Sequence, residues 1–112
     1  MADFSKPKIV KLKSGSKYQR LFGKDSGTCG IKSGHVMLKK GEEIGEHSTN
    51  DLEEALIILK GRGRLIINRE EGLNFENNTV LYVPPGIIHN VKNTGSGVLE
   101  YIFITSNAKQ KI

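Results

Sequence analysis

Short apolar runs separated by glycine-rich or polar turns recur along the whole chain. No apolar stripe with a period of 3.6 residues persists over three helical turns, so the pattern does not favour long helices. Instead the pattern predicts about ten short strands, with turn signals at intervals of roughly 8 to 12 residues. Such spacing is typical of an all-β sandwich or barrel. At 112 residues the chain has the length of one domain. The sequence therefore predicts a single all-β domain.

The strand predictions follow the apolar runs and stop at glycine, proline or clustered polar residues. The predicted strands are Lys8–Lys13, Tyr18–Phe22, Cys29–Leu38, Ala55–Leu59, Arg64–Asn68, Leu73–Phe75, Thr79–Val83, Ile87–Val91 and Val98–Thr105. Ala55–Leu59 and Arg64–Asn68 lie on either side of Gly61 and Gly63, and these two strands are expected to pair as a hairpin. A further turn is expected at Glu70–Gly72.

The run Ala55–Leu59 is apolar throughout, which suits a strand buried on both faces. A helix over Thr49–Lys60, capped by Asp51, is the alternative for this region. The adjacent pair Ile57 and Ile58 and the early stop at Gly61 favour the strand.

Charge and cysteine content narrow the function classes. The net charge is +5, but the basic residues are spread thinly, without a dense basic block, zinc-finger spacing or RNP-like aromatic motif. A solvated basic face is therefore favoured, and no nucleic-acid partner is expected.

No apolar run approaches the ~20 residues that span a bilayer, and the N-terminus lacks the apolar region of a secretory signal. Cys29 is the single cysteine and has no evident activating base, so a structural or incidental thiol is favoured over a nucleophile. A single cysteine cannot form an internal disulfide, so we expect a reducing, cytoplasmic compartment.

Three residues could form a metal site. His47 and Glu54 flank the start of the Ala55–Leu59 run, and His89 follows the Pro-Pro-Gly turn. Two imidazoles and a carboxylate are a ligand set typical of Fe, Mn, Ni or Zn as divalent ions. These residues can converge if both segments face the interior of one closed barrel. Spacing alone leaves a surface or core role for the histidines equally open.

The stretch around the first histidine resembles the first motif of the cupin superfamily, G-x5-H-x-H-x3,4-E-x6-G. Gly41, His47, Glu54 and Gly61 stand at the required spacings. Thr49 stands where the family has its second histidine.

The later stretch resembles the second cupin motif, G-x5-P-x-G-x2-H-x3-N. Pro84, Gly86, His89 and Asn93 fit, and Asn78 replaces the leading glycine. The resemblance covers most of the chain from about residue 30 to residue 105 and implies a double-stranded β-helix, or jelly-roll barrel, of the small single-domain type. Strands within residues 8–23 are then expected to complete or extend that barrel.

In the resembling family His47, Glu54 and His89 are metal ligands, and the substitution at Thr49 leaves three alternatives. Three protein ligands can suffice, with water or substrate in the remaining positions. A neighbouring oxygen can add a weak ligand; the candidates are Thr49, Asn50, Asp51 and Glu53. In the third alternative no metal binds, and the two histidines hydrogen-bond a small ligand or transfer protons.

Other residues are candidates for the ligand pocket. The resemblance suggests that Tyr101 and Phe103 line its mouth, whereas ordinary core packing is the equal alternative. Thr49 is a third pocket candidate. His35 is considered as a replacement fourth ligand, but a surface or interface position is favoured because the sequence does not reveal which face of its strand is interior.

The resemblance implies a small cupin that binds a divalent metal and a small organic ligand, with oxygenation, isomerisation or decarboxylation as candidate reactions. The alternative is a metal-free, non-catalytic module that binds or senses a small molecule such as a sugar. Small cupins commonly pair, so a homodimer is expected, and an edge strand at Lys8–Lys13 would need such cover.

Overall fold

Nine β-strands and a 3-10 turn at Lys24–Ser26 make up residues 6–108, which are the residues described by the computed structural model. The strands are β1 (Tyr18–Arg20), β2 (Lys32–Leu38), β3 (His47–Ser48), β4 (Leu52–Lys60), β5 (Arg62–Ile67), β6 (Glu70–Glu76), β7 (Thr79–Val83), β8 (Ile88–Asn93) and β9 (Leu99–Asn107). Within this range no helix has the length and apolar composition needed to cross a membrane.

The strands form two antiparallel sheets. Sheet 1 has the order β1-β2-β9-β4-β7 and sheet 2 has the order β3-β8-β5-β6. The chain alternates between them, because β4 and β7 belong to sheet 1 while the strands that follow them, β5 and β8, belong to sheet 2. This is a double-stranded β-helix, and the prediction of an all-β jelly-roll barrel is confirmed.

The core lies between the sheets and follows strand alternation. In β4 the inward residues Leu56 and Ile58 are buried, as are Leu65 and Val91 from sheet 2. The outward residues of β4 are only partly covered, and Leu59 is exposed. The expectation that this strand is buried on both faces was therefore wrong. An antiparallel sheet can have one face in the core and the other open, even where the residues are apolar.

The predicted hairpin between β4 and β5 was also wrong. β4 pairs with β7 and β9, whereas β5 pairs with β6 and β8. Gly61 has a φ of 93°, and a Cβ added there would lie 2.5 Å from the carbonyl oxygen of Val98. The glycine is needed where the chain crosses tightly from one sheet to the other, so the pattern marked a crossing and not a hairpin turn.

The turn predicted at Glu70–Gly72 is shifted along the chain. Asn68 and Arg69 both have positive φ values and make the turn, while residues 70–72 already belong to β6. Asparagine adopts the left-handed region more readily than most residues, which accounts for the position of the turn.

The N-terminal segment contains one of the two predicted strands. β1 pairs with β2 along the edge of sheet 1, but residues 8–13 form no strand. The side chain of Gln19 holds this segment instead, donating to the carbonyl of Lys11 and accepting from the N–H of Lys13. Because no neighbouring strand forms a ladder of backbone hydrogen bonds with residues 8–13, their preference for extended structure does not produce a strand.

Candidate metal centre

The two predicted histidine ligands are direct cross-strand neighbours. β3 contains only two residues, and its pairing with β8 sets His47 opposite His89. Opposed residues of an antiparallel pair point to the same face of the sheet. The imidazole centroids are 4.1 Å apart, and the ring planes are inclined at 58°. Sheet 2 therefore presents two imidazoles side by side.

The carboxylate comes from sheet 1. Glu54 shares the inward face of β4 with Leu56 and Ile58 and is 5% exposed. Its Oε1 atom lies 2.7 Å from Nε2 of His89. One ligand atom from each of His47, Glu54 and His89 can be chosen so that all three lie within 4.8 Å of one another. The structure thus brings together the three residues that the sequence analysis singled out as ligands.

The contact between Glu54 and His89 is close but is not aligned as a hydrogen bond. Oε1 of Glu54 is buried and has no hydrogen-bond partner, despite the 2.7 Å separation from the imidazole. A short contact in the wrong direction does not satisfy the carboxylate oxygen, because hydrogen bonds weaken steeply when misaligned. Leaving a buried acceptor unsatisfied costs about 1–3 kcal/mol, and more when it is charged. A divalent cation held between these lone pairs would remove that cost, so the residues present fit such an ion.

Backbone groups orient one imidazole but not the other. Nδ1 of His47 lies 3.1 Å from the carbonyl oxygen of Gly45, so Nδ1–H donates and Nε2 keeps its lone pair. Gly45 is itself held by a hydrogen bond from its N–H to the side chain of Asn90. Nδ1 of His89 is buried without a hydrogen-bond partner. Sequence reasoning missed the support from Gly45 and Asn90, because it depends on the pairing of distant loops.

Thr49, which stands at the position of the family's second histidine, joins the two motif segments. Its hydroxyl donates to the carbonyl of Pro84 (2.8 Å) and accepts from the N–H of Ile87 (3.1 Å). The side chain is 5% exposed. Thr49 therefore clamps the segment before β4 to the Pro-Pro-Gly turn before β8, and these bonds use the hydroxyl proton and one of its two lone pairs.

The other oxygen candidates lie away from the three-residue cluster. Glu53 points to the opposite face of β4 from Glu54 and accepts a hydrogen bond from the hydroxyl of Tyr82 (2.9 Å). Asn50 and Asp51 are exposed in the turn between β3 and β4. The alternative in which one of these residues supplies an oxygen ligand gains no support from the geometry.

Thr49→Val tests the clamp. We expect a loss of about 1–2 kcal/mol in the free energy of unfolding, because valine has the shape of threonine but leaves two part-buried backbone groups without a partner. Urea unfolding followed by circular dichroism measures the change. The matched control is Thr79→Val, since the Thr79 hydroxyl makes only a 3.4 Å contact and is exposed. Equal stability losses in the two variants would contradict the clamp.

His35 is buried but does not face the barrel interior. Its neighbours on β2, Gly34 and Val36, point inward, which leaves His35 on the outer face of sheet 1. The side chain is 1% exposed, and its Nε2 lies 2.7 Å from Oε2 of Glu100. The favoured position was at the surface or in an interface, and the surface alternative was wrong because the side chain is buried, while the interface alternative stays a prediction. His35 is also outside the cluster of potential ligands, so its role as a fourth ligand is not supported.

A cavity of about 300 Å³ opens onto the three candidate ligands. Thr49, Tyr101 and Phe103, the three predicted pocket residues, line it. Tyr18 and Lys32 line it too, and sequence reasoning missed both. Lys32 shares its face of β2 with Gly34 and Val36, so strand alternation would have indicated it once the inner face was known.

Tyr101 keeps its proton at neutral and moderately alkaline pH. Burial, and then the negative charge of Glu54, raise the pKa of its phenol well above the usual value near 10. The hydroxyl can therefore donate a hydrogen bond to a ligand in the cavity but is not suited to act as a base.

Comparison with known proteins agrees with the fold. Residues 34–105 match the family model described as a cupin domain. The chain belongs to the cupin family. An uncharacterised protein of Methanocaldococcus jannaschii is 27% identical over 82 residues, covering 73% of this cupin and 70% of that protein. The crystal structure of the M. jannaschii protein, described as an RmlC-like cupin with a double-stranded β-helix fold, has a TM-score of 0.77 and 24% identity, with 91% and 92% of the two chains covered.

Two further relatives have named activities. A glucose-6-phosphate isomerase of Pyrococcus abyssi is 40% identical over 53 residues, which are 44% of this cupin but only 28% of that enzyme. A predicted oxalate decarboxylase of Thermotoga maritima superposes with a TM-score of 0.65 at 19% identity, covering 88% of this cupin and 99% of that chain. At this level of identity the second likeness concerns the fold alone.

Proposed function

We propose that this cupin binds one divalent transition metal, Fe, Mn, Ni or Zn, through His47, Glu54 and His89, and a small organic ligand in the adjoining cavity. The observation that carries the proposal is the convergence of three ligand atoms within 4.8 Å, one of them a buried carboxylate oxygen without a hydrogen bond. Two imidazoles and one carboxylate form a facial set that leaves coordination positions open.

The open coordination positions of the metal determine which reactions the site could support. A bound metal would act as a Lewis acid on an oxygen of the ligand. The chain's own residues would orient that ligand: the Tyr101 phenol is a donor, and apolar side chains such as Leu56 and Val91 limit the access of water. Oxygenation, isomerisation and decarboxylation all suit such a site. The glucose-6-phosphate isomerase, 40% identical over 53 residues, supports the second of these reactions.

A metal-free cupin is the second candidate. Its support is Thr49, which occupies the position of a family ligand and uses its hydroxyl to join two backbone segments. In that case His47 and His89 are the polar groups that hydrogen-bond a small molecule, such as a sugar, without catalysis.

A cytoplasmic location is proposed for both candidates, since the single Cys29 cannot form an internal disulfide.

Metal content separates the two candidates. The protein is purified without added metal, then reconstituted in turn with Fe(II), Mn(II), Ni(II) and Zn(II), dialysed, and measured by elemental analysis. We expect one equivalent of at least one metal in the wild type and a loss of at least nine-tenths of it in His89→Ala, whereas His35→Ala retains it. Less than stoichiometric binding of all four metals by the wild type would favour the metal-free candidate.

We also propose that two copies pair through the outer face of sheet 1. The strand registers align apolar residues in two rows across β7, β4 and β9. The rows are Val80, Ile57 and Ile102, and Tyr82, Ala55 and Ile104. A contiguous apolar surface of this kind is typical of an interface, and a two-fold axis lets the same face cover itself.

Val80→Glu tests the pairing. Val80 is 67% exposed, so the substitution should leave the folded chain intact while a two-fold axis brings two buried charges into the interface. We expect a dimer for the wild type and a monomer for the variant by analytical ultracentrifugation. Leu73→Glu, at an exposed apolar position on β6 of sheet 2, is the control and should stay dimeric. A monomeric wild type would contradict the proposal.

A further inference from the structure

We infer that the cavity takes a small organic carboxylate with a flat apolar body, and that Lys32 binds the carboxylate. The inference rests on the proposed use of this cavity as the ligand site. It concerns residues that the family match does not include, since Tyr18 and Lys32 both precede residue 34, where the match begins.

Within residues 6–108, Lys32 is a cation in the cavity lining that has no ion-pair partner. It is the first residue of β2, faces inward like Gly34 and Val36, and lines the cavity, yet its side chain remains exposed. Across residues 6–108 its ammonium group makes no ion pair. An unpaired ammonium beside an apolar cavity attracts an anion, and most strongly one that can accept its hydrogen bonds.

An aromatic wall lies beside this lysine. The rings of Tyr18 and Phe103 stack with centroids 6.1 Å apart and an interplanar angle of 17°. Gly34, two residues after Lys32, makes room for them, because a Cβ there would lie 2.5 Å from the Phe103 ring and 2.8 Å from the Tyr18 ring. The glycine thus allows a flat apolar surface in the same cavity lining as Lys32, and planar groups pack well against aromatic faces.

The cavity volume limits the ligand. About 300 Å³ is at the low end of the range for ligand sites. At roughly 30 Å³ per water-sized unit, this is space for about ten non-hydrogen atoms. Benzoate and phenylacetate are of that size and combine a carboxylate with a planar apolar body.

The charged groups around the cavity favour an anionic ligand. Glu54 is the one acidic residue that lines the cavity, within the part of the chain that the structure describes, and its carboxylate is in contact with His89. A divalent ion at the proposed centre would more than neutralise Glu54, and Lys32 would add a second positive charge. The cavity would then favour an anion over a neutral molecule of the same shape.

The test compares two carboxylates with their neutral amides. Benzoate, benzamide, phenylacetate and phenylacetamide are titrated into the zinc-loaded protein at low salt by calorimetry. We expect each carboxylate to bind about 10-fold more tightly than its amide, and Lys32→Met to lower carboxylate affinity about 5- to 10-fold without changing amide affinity. Lys92→Met, which removes an exposed lysine from β8, should change neither. Phe103→Leu should weaken carboxylates and amides alike, and 1 M NaCl should reduce the effect of Lys32.

Several results would overturn the inference. Carboxylates that bind no more tightly than the amides would remove its basis. A preference for carboxylates that survives in Lys32→Met would assign their binding to the metal instead. Zinc content is measured in the same samples, so a failed metal proposal is recognised separately. In that event the titrations are repeated with metal-free protein. A preference for carboxylates that is lost in Lys32→Met would then support the inference. If metal-free wild type shows no such preference, the inference is overturned.

Discussion

Glu54→Gln is expected to lower the affinity for a divalent metal by about 100-fold or more. The change removes the charge of a proposed ligand while keeping its shape. Even residues that only support metal ligands cost ~10- to 100-fold when changed, so a ligand itself should cost at least the upper value. Competition with a chromophoric chelator measures the affinity. Glu53→Gln is the matched control, because its neighbouring carboxylate lies on the outer face of the same strand.

The same variant should behave differently without metal. Oε1 of Glu54 is buried, faces Nε2 of His89 at 2.7 Å and makes no hydrogen bond. Glutamine replaces that charged group with a neutral amide, which costs less free energy to bury without a hydrogen bond. We therefore expect metal-free Glu54→Gln to be about 1 kcal/mol more stable to urea than metal-free wild type. Excess metal should reverse the order, since ligand at 100 times its Kd stabilises the wild type by about 2.7 kcal/mol. Equal metal affinity in Glu54→Gln and Glu53→Gln would contradict the proposed role of Glu54.

Gly61→Ala is expected to destabilise the fold by about 3 kcal/mol. Residue 61 has a φ of 93°, and left-handed backbone costs a non-glycine residue about 1–2 kcal/mol. The new Cβ would also lie 2.5 Å from the carbonyl oxygen of Val98, and forced contacts of this kind cost ~1–3 kcal/mol. Urea unfolding at equilibrium measures the total.

A second glycine isolates the effect of the crossing. Gly41 has a similar φ of 81°, but no atom lies within 4 Å of a Cβ added there. Gly41→Ala should therefore cost only the backbone conformation, about 1–2 kcal/mol. If the two variants lost the same stability, the close passage between the sheets at Gly61 would not be a significant constraint.

The fold was predictable where local signals were complete. Thr79–Val83 is a run of strand-forming residues closed by Pro84-Pro85-Gly86, and β7 has the same bounds. The crossing at Gly61 was misread because a glycine between two apolar runs looks the same in a tight turn and in a tight passage between sheets. β3 was missed because two residues carry no periodicity.

The site was predictable as far as motif spacing extends. His47, Glu54 and His89 were singled out by spacing and resemblance, and the structure brings them together. Lys32 and Tyr18 were missed because their place in the cavity depends on the register of β1, β2 and β9. The clamp at Thr49 was hidden for the same reason, since its partners Pro84 and Ile87 are 35 and 38 residues away along the chain.

The central claim is that one metal ion is held by residues from both sheets. The most direct measurement is anomalous diffraction at the absorption edge of the metal, from crystals of the reconstituted protein. We predict one strong peak at about 2.0–2.3 Å from an imidazole nitrogen of His47, an imidazole nitrogen of His89 and a carboxylate oxygen of Glu54. A fully loaded protein with its anomalous peak elsewhere, or no peak at these three residues, would contradict the account.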